Sequence, residues 1–314
     1  MSPSVDIVIV NWNTKASLAD CLRSIEAADR EEFRLHRVVV VDNGSTDDSL
    51  AGLDDLRLPL SFEKNKFNLG FAAGSNQGAK NSTADYLLFL NPDTRLLKDS
   101  LQAPLHFMSQ PENTSFGICG IRLLDDQGQA GVCSAQFPSP RSMWAGGTGL
   151  HRLAPKRFPN RLESDIQSEC RQVDQVIGAF FLVRRSLYEQ LGGFDERFFV
   201  YFEEVDFSLR AREAGLNSYI LGNIAGFHSG CASSDQVKDK RLSYFWRSRT
   251  LYAKKHFSWL QYAGVLVLTF AAEPAIRILH SALSRSMHKL VITSLAYLHL
   301  VRQCLLGNSD AYPG

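Results

Sequence analysis

Three short apolar runs, the first two rich in β-branched residues and each cut off by a cluster of Asn and Asp, most constrain what this chain can fold into. Val5 to Val10 ends at Asn11-Trp-Asn-Thr, Val38 to Val41 at Asp42-Asn-Gly-Ser, and Tyr86 to Leu90 at Asn91-Pro-Asp. Runs of this kind read as buried strands. Leu18, Leu22 and Ile25 recur at helical spacing between the first two. The alternation predicts an α/β fold with a mixed, mainly parallel central sheet flanked by helices. Ligands in such sheets gather beyond the carboxyl ends of the strands. Asp42 and Asp93 both fall there.

Further along, Ser49 and Leu50 are expected to enter a helix, and Phe62 to lie in a weaker strand. Gly70 to Lys80 reads as a loop running into a small-residue helix, and Gly117 to Leu123 and Gln175 to Val183 as strands. Between those strands, Asp125 to Arg171 is rich in Gly, Pro and basic residues and reads as a long functional or mobile loop. A helix should open near Glu204 and run to Ala214, with Gly215 as its stop. Asp206 and Arg210 would form an i,i+4 pair on it.

The 314 residues allow one large or two ordinary domains, and 45% hydrophobic with 21% charged residues excludes a disordered or fibrous chain. A formal net charge of +1 argues against nucleic acid as a partner. The six cysteines show no C-x-x-C pair, so neither a zinc knuckle nor a redox motif is expected. The N-terminus has no basic region ahead of its apolar run, which predicts a cytoplasmic chain without a signal peptide. The signatures G-x-G-x-x-G, G-x-x-x-x-G-K-[ST], G-x-S-x-G and H-E-x-x-H are absent. That weakens dehydrogenase, P-loop, α/β-hydrolase and zincin readings.

What remains is a set of polar groups: Asn11 to Thr14, Asp42 to Ser45, Asn91 to Asp93, Glu203-Glu204-Val-Asp206, and His228. Taken singly, each has an ordinary explanation as a turn, a helix cap, a dipole partner or a buried histidine. In this order, together with Asn68-Leu-Gly-Phe-Ala-Ala-Gly-Ser-Asn-Gln-Gly, Gly178-Ala-Phe-Phe-Leu-Val-Arg-Arg, Gly193-Phe-Asp-Glu and Phe199-Val-Tyr-Phe-Glu-Glu-Val-Asp-Phe-Ser-Leu-Arg, the set resembles glycosyltransferase family 2. It is most similar to the bacterial rhamnosyltransferase-type members, and the resemblance covers residues 5–255.

The resemblance implies the GT-A fold and an inverting, metal-dependent transfer from a nucleotide diphosphate sugar. Asp93 would ligate Mg2+ or Mn2+, with His228 completing the metal site. Asn91 stands where the family's Asp-x-Asp motif has its first aspartate, so it adds no charge. Asp42 would accept a hydrogen bond from a pyrimidine imide, in a donor pocket shared with Asn11, Asn13, Asn43, Gly44, Ser45, Gly70, Phe71 and Asn76. Glu204 would be the general base, with Glu203 its competitor, and Asp206 would orient the helix through Arg210. Gly178, Ala179 and Phe180 would lie under the acceptor.

The chain divides in this reading into a catalytic domain, 1–240, with a donor-binding half at 1–95 and an acceptor half at 96–240, followed by a helical extension at 241–314. Phe257 to Ala272 is sixteen uncharged residues, short of a membrane span and closed by Glu273-Pro274. Basic residues including Arg277, Arg285, Lys289 and Arg302 interleave with apolar ones beyond it. This fits an amphipathic helix at an anionic membrane surface, or alternatively a helical hairpin on the catalytic domain or in a dimer. Arg247, Arg249, Lys254 and Lys255 would contact an acceptor diphosphate if that acceptor is a polyprenyl-diphosphate-linked glycan. The leading expectation is transfer of L-rhamnose from dTDP-rhamnose to such an acceptor or to a glycan, in surface polysaccharide synthesis at the cytoplasmic face of the inner membrane. A non-catalytic nucleotide-sugar-binding or assembly subunit is the alternative. A nucleotidyltransferase would want a basic glycine-rich loop after the first strand, where only Lys15 is nearby.

Overall fold

A computed structural model describes residues 2–158, 162–163, 169–230, 238–284 and 287–306. Cys231, Arg285 and the C-terminal residues from 307 onward lie outside the described residues. The first half opens with β1 (Ser4–Asn11), α1 (Ser17–Ala27), β2 (Arg34–Asp42) and β3 (Leu60–Lys64). It continues with α2 (Phe71–Ala79), β4 (Tyr86–Leu90), β5 (Thr94–Leu96) and α3 (Gln102–Ser109). The apolar runs of β1, β2 and β4 are buried almost throughout, because helices cover both faces of the sheet they build. Helix α1 turns Leu18, Cys21, Leu22 and Ile25 inward. Helix α2 is built from small residues because it lies close on the sheet. A Cβ on Gly78 would stand 2.5 Å from Val8 Cγ1 and 2.9 Å from Val41 Cγ2.

The second half supplies β6 (Phe116–Leu124), β7 (Ser134–Ala135), α4 (Pro140–Thr148), α5 (Leu150–Leu153) and β8 (Leu162–Glu163). Then come β9 (Cys170–Val173), β10 (Gln175–Val176), β11 (Phe180–Arg184), α6 (Arg185–Gln190), α7 (Glu203–Glu213) and β12 (Asn217–His228). The main sheet runs in the order β3-β2-β1-β4-β11-β6-β12-β5, with β9 also on β12. Strands β1 to β4, β6 and β12 point one way, and β11, β5 and β9 run against them. The mixed, mainly parallel sheet expected from the sequence is what forms.

Three local expectations need correction. No helix follows β2. Ser49 instead donates its amide to Asp47 and receives Asn11 Nδ2 on its hydroxyl, and Gly52, Asp54 and Asp55 then disfavour a helix. The strand expected at Gln175 to Val183 is broken in two, with β10 pairing β7 in a small separate sheet and β11 pairing β4 and β6. The chain leaves the ladder at Gly178-Ala179, where the Ala179 carbonyl accepts Asn91 N and Thr94 Oγ1 instead. The stretch 125–171 is not a plain loop. It holds α4, whose N-terminus is closed by a reciprocal Ser139–Ser142 cap with Pro140 in the first turn.

The chain ends in α8 (Lys238–His256), α9 (Trp259–Val267), a π-helical turn over Leu268–Ala272, α10 (Glu273–Leu283) and α11 (Met287–Leu306). Glu273-Pro274 therefore does not close the helix. The π turn ahead of Pro274 absorbs the lost backbone hydrogen bond. A second core, comprising Met143, Phe198, Phe202, Val205, Tyr252, Ala253, Val265 and Leu268, ties α4, α7, α8 and α9 together. Trp246 of α8 stacks on Tyr297 of α11 at 4.1 Å between ring centroids.

Gly78→Val should lower the thermal midpoint, because added methyls at this contact cost about 1–3 kcal/mol of overpacking. Circular-dichroism melting checks it, and an unchanged midpoint would show that α2 does not sit so close to the sheet.

Candidate active site

The carboxyl ends of β1 and β2 meet in register at Asn11 and Asp42. Asn11 Nδ2 donates to Asp42 Oδ1 at 2.8 Å and to Ser49 Oγ at 2.9 Å, while its Oδ1 accepts Thr14 Oγ1 at 2.5 Å. Ser45 closes on the same carboxylate, with its hydroxyl 2.6 Å from Oδ1 and its amide 3.2 Å from Oδ2. Asp42 is thus a buried acceptor with Oδ1 doubly engaged and Oδ2 bonded to Ser45 N. Asn13 takes a left-handed backbone, donates its amide to Ser45 Oγ and accepts Thr46 N on Oδ1.

Other residues assigned to the donor pocket turn out to hold the loops in place. Asn43 Nδ2 reaches Gly70 O at 3.0 Å and Asn43 Oδ1 receives Asn65 Nδ2 at 3.0 Å. Gly44, with φ +74°, admits the backbone of Phe67, whose Cα would stand 3.0 Å from an added Cβ. Gly70, with φ +89°, lets the Phe199 carbonyl come so close that any Cβ would collide with it. Phe71 N donates to that carbonyl at 2.7 Å. Asn76 is turned away from a ligand role by its own partners, Tyr188, Phe194 and Glu196.

At the end of β4, Asn91 and Asp93 face His228, which β12 delivers through its antiparallel pairing with β5. His228 Nε2 lies 3.3 Å from Asp93 Oδ1 and 3.3 Å from Asn91 Nδ2. No group of three His, Cys, Asp or Glu side chains able to hold a metal ion meets among the described residues. One carboxylate and one imidazole side by side fit a cation that takes its remaining ligands from a bound diphosphate.

Helix α7 brings in the acidic pair. Its first turn holds Glu203, Glu204 and Asp206, and it is entered through Tyr201 and Phe202 at φ +68° and +72°. Two bulky residues in succession in the left-handed region store about 1–3 kcal/mol each and mark a constrained functional turn. An ideal Cβ on Gly178 would lie 3.8 Å from Glu204 Cγ, so the break between β10 and β11 runs directly beside Glu204. Ala179 grips Asn91 and Thr94 through its carbonyl, and Phe180 is buried in β11 opposite Leu90.

Asp206 is fully buried against Arg210, Lys255 and His256. Arg210 Nε is 2.8 Å away, and Lys255 Nζ and His256 Nε2 are each 2.7 Å away. Lys255 also pairs with Asp195 at 2.8 Å, and Arg210 donates to the carbonyls of Leu191 and Gly193. Two cations expected to meet an acceptor are therefore engaged within the fold, Lys255 here and Arg249 with Glu273 and Thr269. The roles of Lys255 and His256 had no signal in local spacing, since their partner lies about fifty residues upstream.

Comparisons with known proteins show the family and the fold. A family model described as "Glycosyl transferase family 2" matches residues 6–192. The N-acetylglucosaminyl-diphospho-decaprenol L-rhamnosyltransferase of Mycobacterium tuberculosis is 26% identical over 285 residues, covering 82% of this chain and 87% of the relative. The low-salt glycan biosynthesis hexosyltransferase Agl10 of Haloferax volcanii is 25% identical over 265 residues, covering 82% and 78%. The solved structure of the mannosyltransferase PcManGT from Pyrobaculum calidifontis, in complex with GDP-Man and Mn2+, superposes with a TM-score of 0.56 at 14% identity. It covers 98% of this chain and 89% of its own.

Burial, reinforced by the Glu204 charge beside it, pushes the Glu203 carboxyl well above its ordinary range. Its Oε2 is enclosed without a hydrogen bond. Burial also pushes Asp206 upward, but hydrogen bonds from His256 and Lys255 and the charge of Arg210 outweigh it and hold Asp206 below the ordinary range. The two acids bear on stability in opposite senses. Above the unfolded value near 4.5, ionising Glu203 opposes folding, so Glu203→Gln should raise the thermal midpoint at pH 7 and lose that gain as pH falls to about 4. Asp206 stabilises above its unfolded value near 3.8 and loses that contribution as pH falls below it. Asp206→Asn should cost about 3–5 kcal/mol at pH 7, because Arg210 loses its carboxylate partner and Lys255 is left with Asp195 alone. Melting both variants across pH checks the signs.

Proposed function

This chain belongs to glycosyl transferase family 2 and has the GT-A fold, and from that membership we propose that it transfers L-rhamnose, with inversion, from dTDP-rhamnose to a lipid-linked glycan acceptor. It is a glycosyltransferase. The observation that carries the finer reading is the meeting of three chemistries at one edge of the sheet. Asp42 offers a buried acceptor at the ends of β1 and β2, Asp93 and His228 stand together at the ends of β4 and β12, and Glu204 heads α7 beside Gly178.

Asp42 accepts the imide N–H of a pyrimidine through Oδ2, where only the Ser45 amide is already bound. Thymine and uracil both present that donor. Asp93 and His228 hold a divalent cation, which supplies positive charge to the diphosphate when bound. Asn91 hydrogen-bonds His228 and fixes its ring without adding charge. Glu204 takes the proton from the acceptor hydroxyl as that oxygen bonds to the anomeric carbon. The bond from that carbon to the diphosphate oxygen breaks on the opposite face, which inverts the configuration. Burial and the neighbouring Glu204 charge push the Glu203 carboxyl well above its ordinary range, which disfavours Glu203 and supports Glu204 as the base. The M. tuberculosis relative is named for a decaprenyl-diphospho-linked acceptor, which supports a polyprenyl-diphosphate-linked glycan here and a place for the enzyme peripheral to the inner membrane.

Purified protein incubated with a donor panel and Mg2+ or Mn2+ should release dTDP from dTDP-rhamnose, and chelation should abolish it. Glu204→Gln should lower transfer by about 10²–10⁴-fold while calorimetric donor binding persists. Release from another donor alone would overturn the rhamnosyl assignment. Full turnover in Glu204→Gln would move the base elsewhere.

A further inference from the structure

The helix from Trp259 to Leu283 is 25 residues long and apolar enough to cross a membrane by length and composition. At 1.5 Å per residue it would span a hydrocarbon core of about 30 Å. Its setting in the fold argues against crossing. One side is seated on the protein, where Val265, Leu268, Thr269, Glu273 and Ser281 are buried. Glu273, midway along, is 2% exposed, with Oε2 2.8 Å from Arg249 Nη1 and Oε1 2.8 Å from Arg277 Nε. Gly147 of α4 is packed onto the pair, and a Cβ there would stand 3.1 Å from Glu273 Oε2. Crossing would strip the carboxylate from the buried Arg249 and carry the Glu273–Arg277 pair into hydrocarbon, each at a cost of about several kcal/mol.

The other side is open. Leu260, Val267, Leu279 and Leu283 are exposed by 55–77%, and Leu298 of α11 by 67%. Trp259, at the head of α9, is 75% exposed, the position of an indole at a headgroup layer. Charge selects the occupant. Residues 241–314 carry nine Lys and Arg against two acids, whereas residues 1–240 carry 25 against 31. Of the nine, Arg249 and Arg277 are paired with Glu273, and Lys255 with Asp195 and Asp206, so the excess rests on the other six. A second copy of the chain would bring the same positive charge to this face. An anionic bilayer brings the opposite charge, worth about 1 kcal/mol for each basic residue near it.

We propose that the outer face of α9, α10 and α11 lies in the plane of an anionic lipid bilayer without crossing it, with the Arg249–Glu273 pair keeping the inner face on the protein. This surface is independent of which sugar the chain transfers. Full-length protein is floated with vesicles of phosphatidylcholine alone or with about one quarter phosphatidylglycerol. It should float with the anionic vesicles, float at least tenfold less with the neutral ones, and be released by alkaline carbonate. The double variant Leu279→Glu, Leu283→Glu should stay at the bottom with its melting midpoint unchanged, since both side chains face out. Failure of the wild type to float, equal flotation on neutral vesicles, or retention after carbonate would overturn the proposal. So would a sedimentation dimer that the double variant converts to monomer while flotation is unaltered.

Discussion

A single buried carboxylate, Asp206, holds the catalytic edge of this fold together. Water does not reach it, so its charge is tolerable only because Arg210, Lys255 and His256 surround it. Those partners come from two parts of the structure, Arg210 from α7 itself and Lys255 and His256 from α8. Arg210 carries the connection on to the carbonyls of Leu191 and Gly193, whose turn is clasped by Asn76 of α2. Lys255 and His256 lie at the end of α8 and bring the C-terminal helices in. Helix α7 is therefore fixed from both sides, and with it Glu204, two residues before the hub.

Five acidic side chains near one sheet edge are differentiated by their surroundings alone. Asp42 is surrounded by neutral donors and is shaped to accept one more. Asp93 stands against an imidazole. Asp206 is bonded to Arg210, Lys255 and His256 and ties elements together. Glu203 is enclosed without partners and favours its neutral form. Glu204, beside the glycine of a broken strand, is the carboxylate to which the proposed reading gives the acceptor hydroxyl. That differentiation is how one cluster of like residues separates base chemistry from scaffolding.

The parts of this arrangement legible in the sequence were those set by local pattern. The runs at Val5, Val38 and Tyr86 had no reading but buried strand, and their polar stops mark where the ligand edge must be. The small residues after Gly70 read as a helix, but that Gly74 and Gly78 serve its packing on Val8, Val10 and Val41 was not legible. What local pattern could not reveal was which polar side chains would find each other across the chain. Asn76 and Asn43 carry pocket-like neighbours in sequence yet bond to loops. Lys255 and Arg249 sit in a basic run that suggests a phosphate, but each meets a buried carboxylate first. The left-handed pair Tyr201-Phe202 had no signal either, since neither residue favours that backbone and only the packed surroundings impose it.

Helix α8 gives the two ends of the molecule a common mechanical element. Arg249 and His256 are seven residues apart on it, about 10 Å along the axis. Arg249 fastens α10 through Glu273, and His256 fastens α7 through Asp206. Between them, Tyr252 and Ala253 fill the second core against Phe202, the left-handed residue directly ahead of Glu203. A displacement of the C-terminal helices therefore cannot be absorbed by a loop before it reaches the acidic pair. In the proposed reading, in which a lipid-linked acceptor arrives from the bilayer, the same helix that positions the lipid-facing surface also sets the height of Glu204 above it. An apolar tail flexibly tethered to the enzyme would anchor it equally well. A tail sharing a core with the base helix does more, because it fixes the geometry between the acceptor's entry and the group that takes its proton.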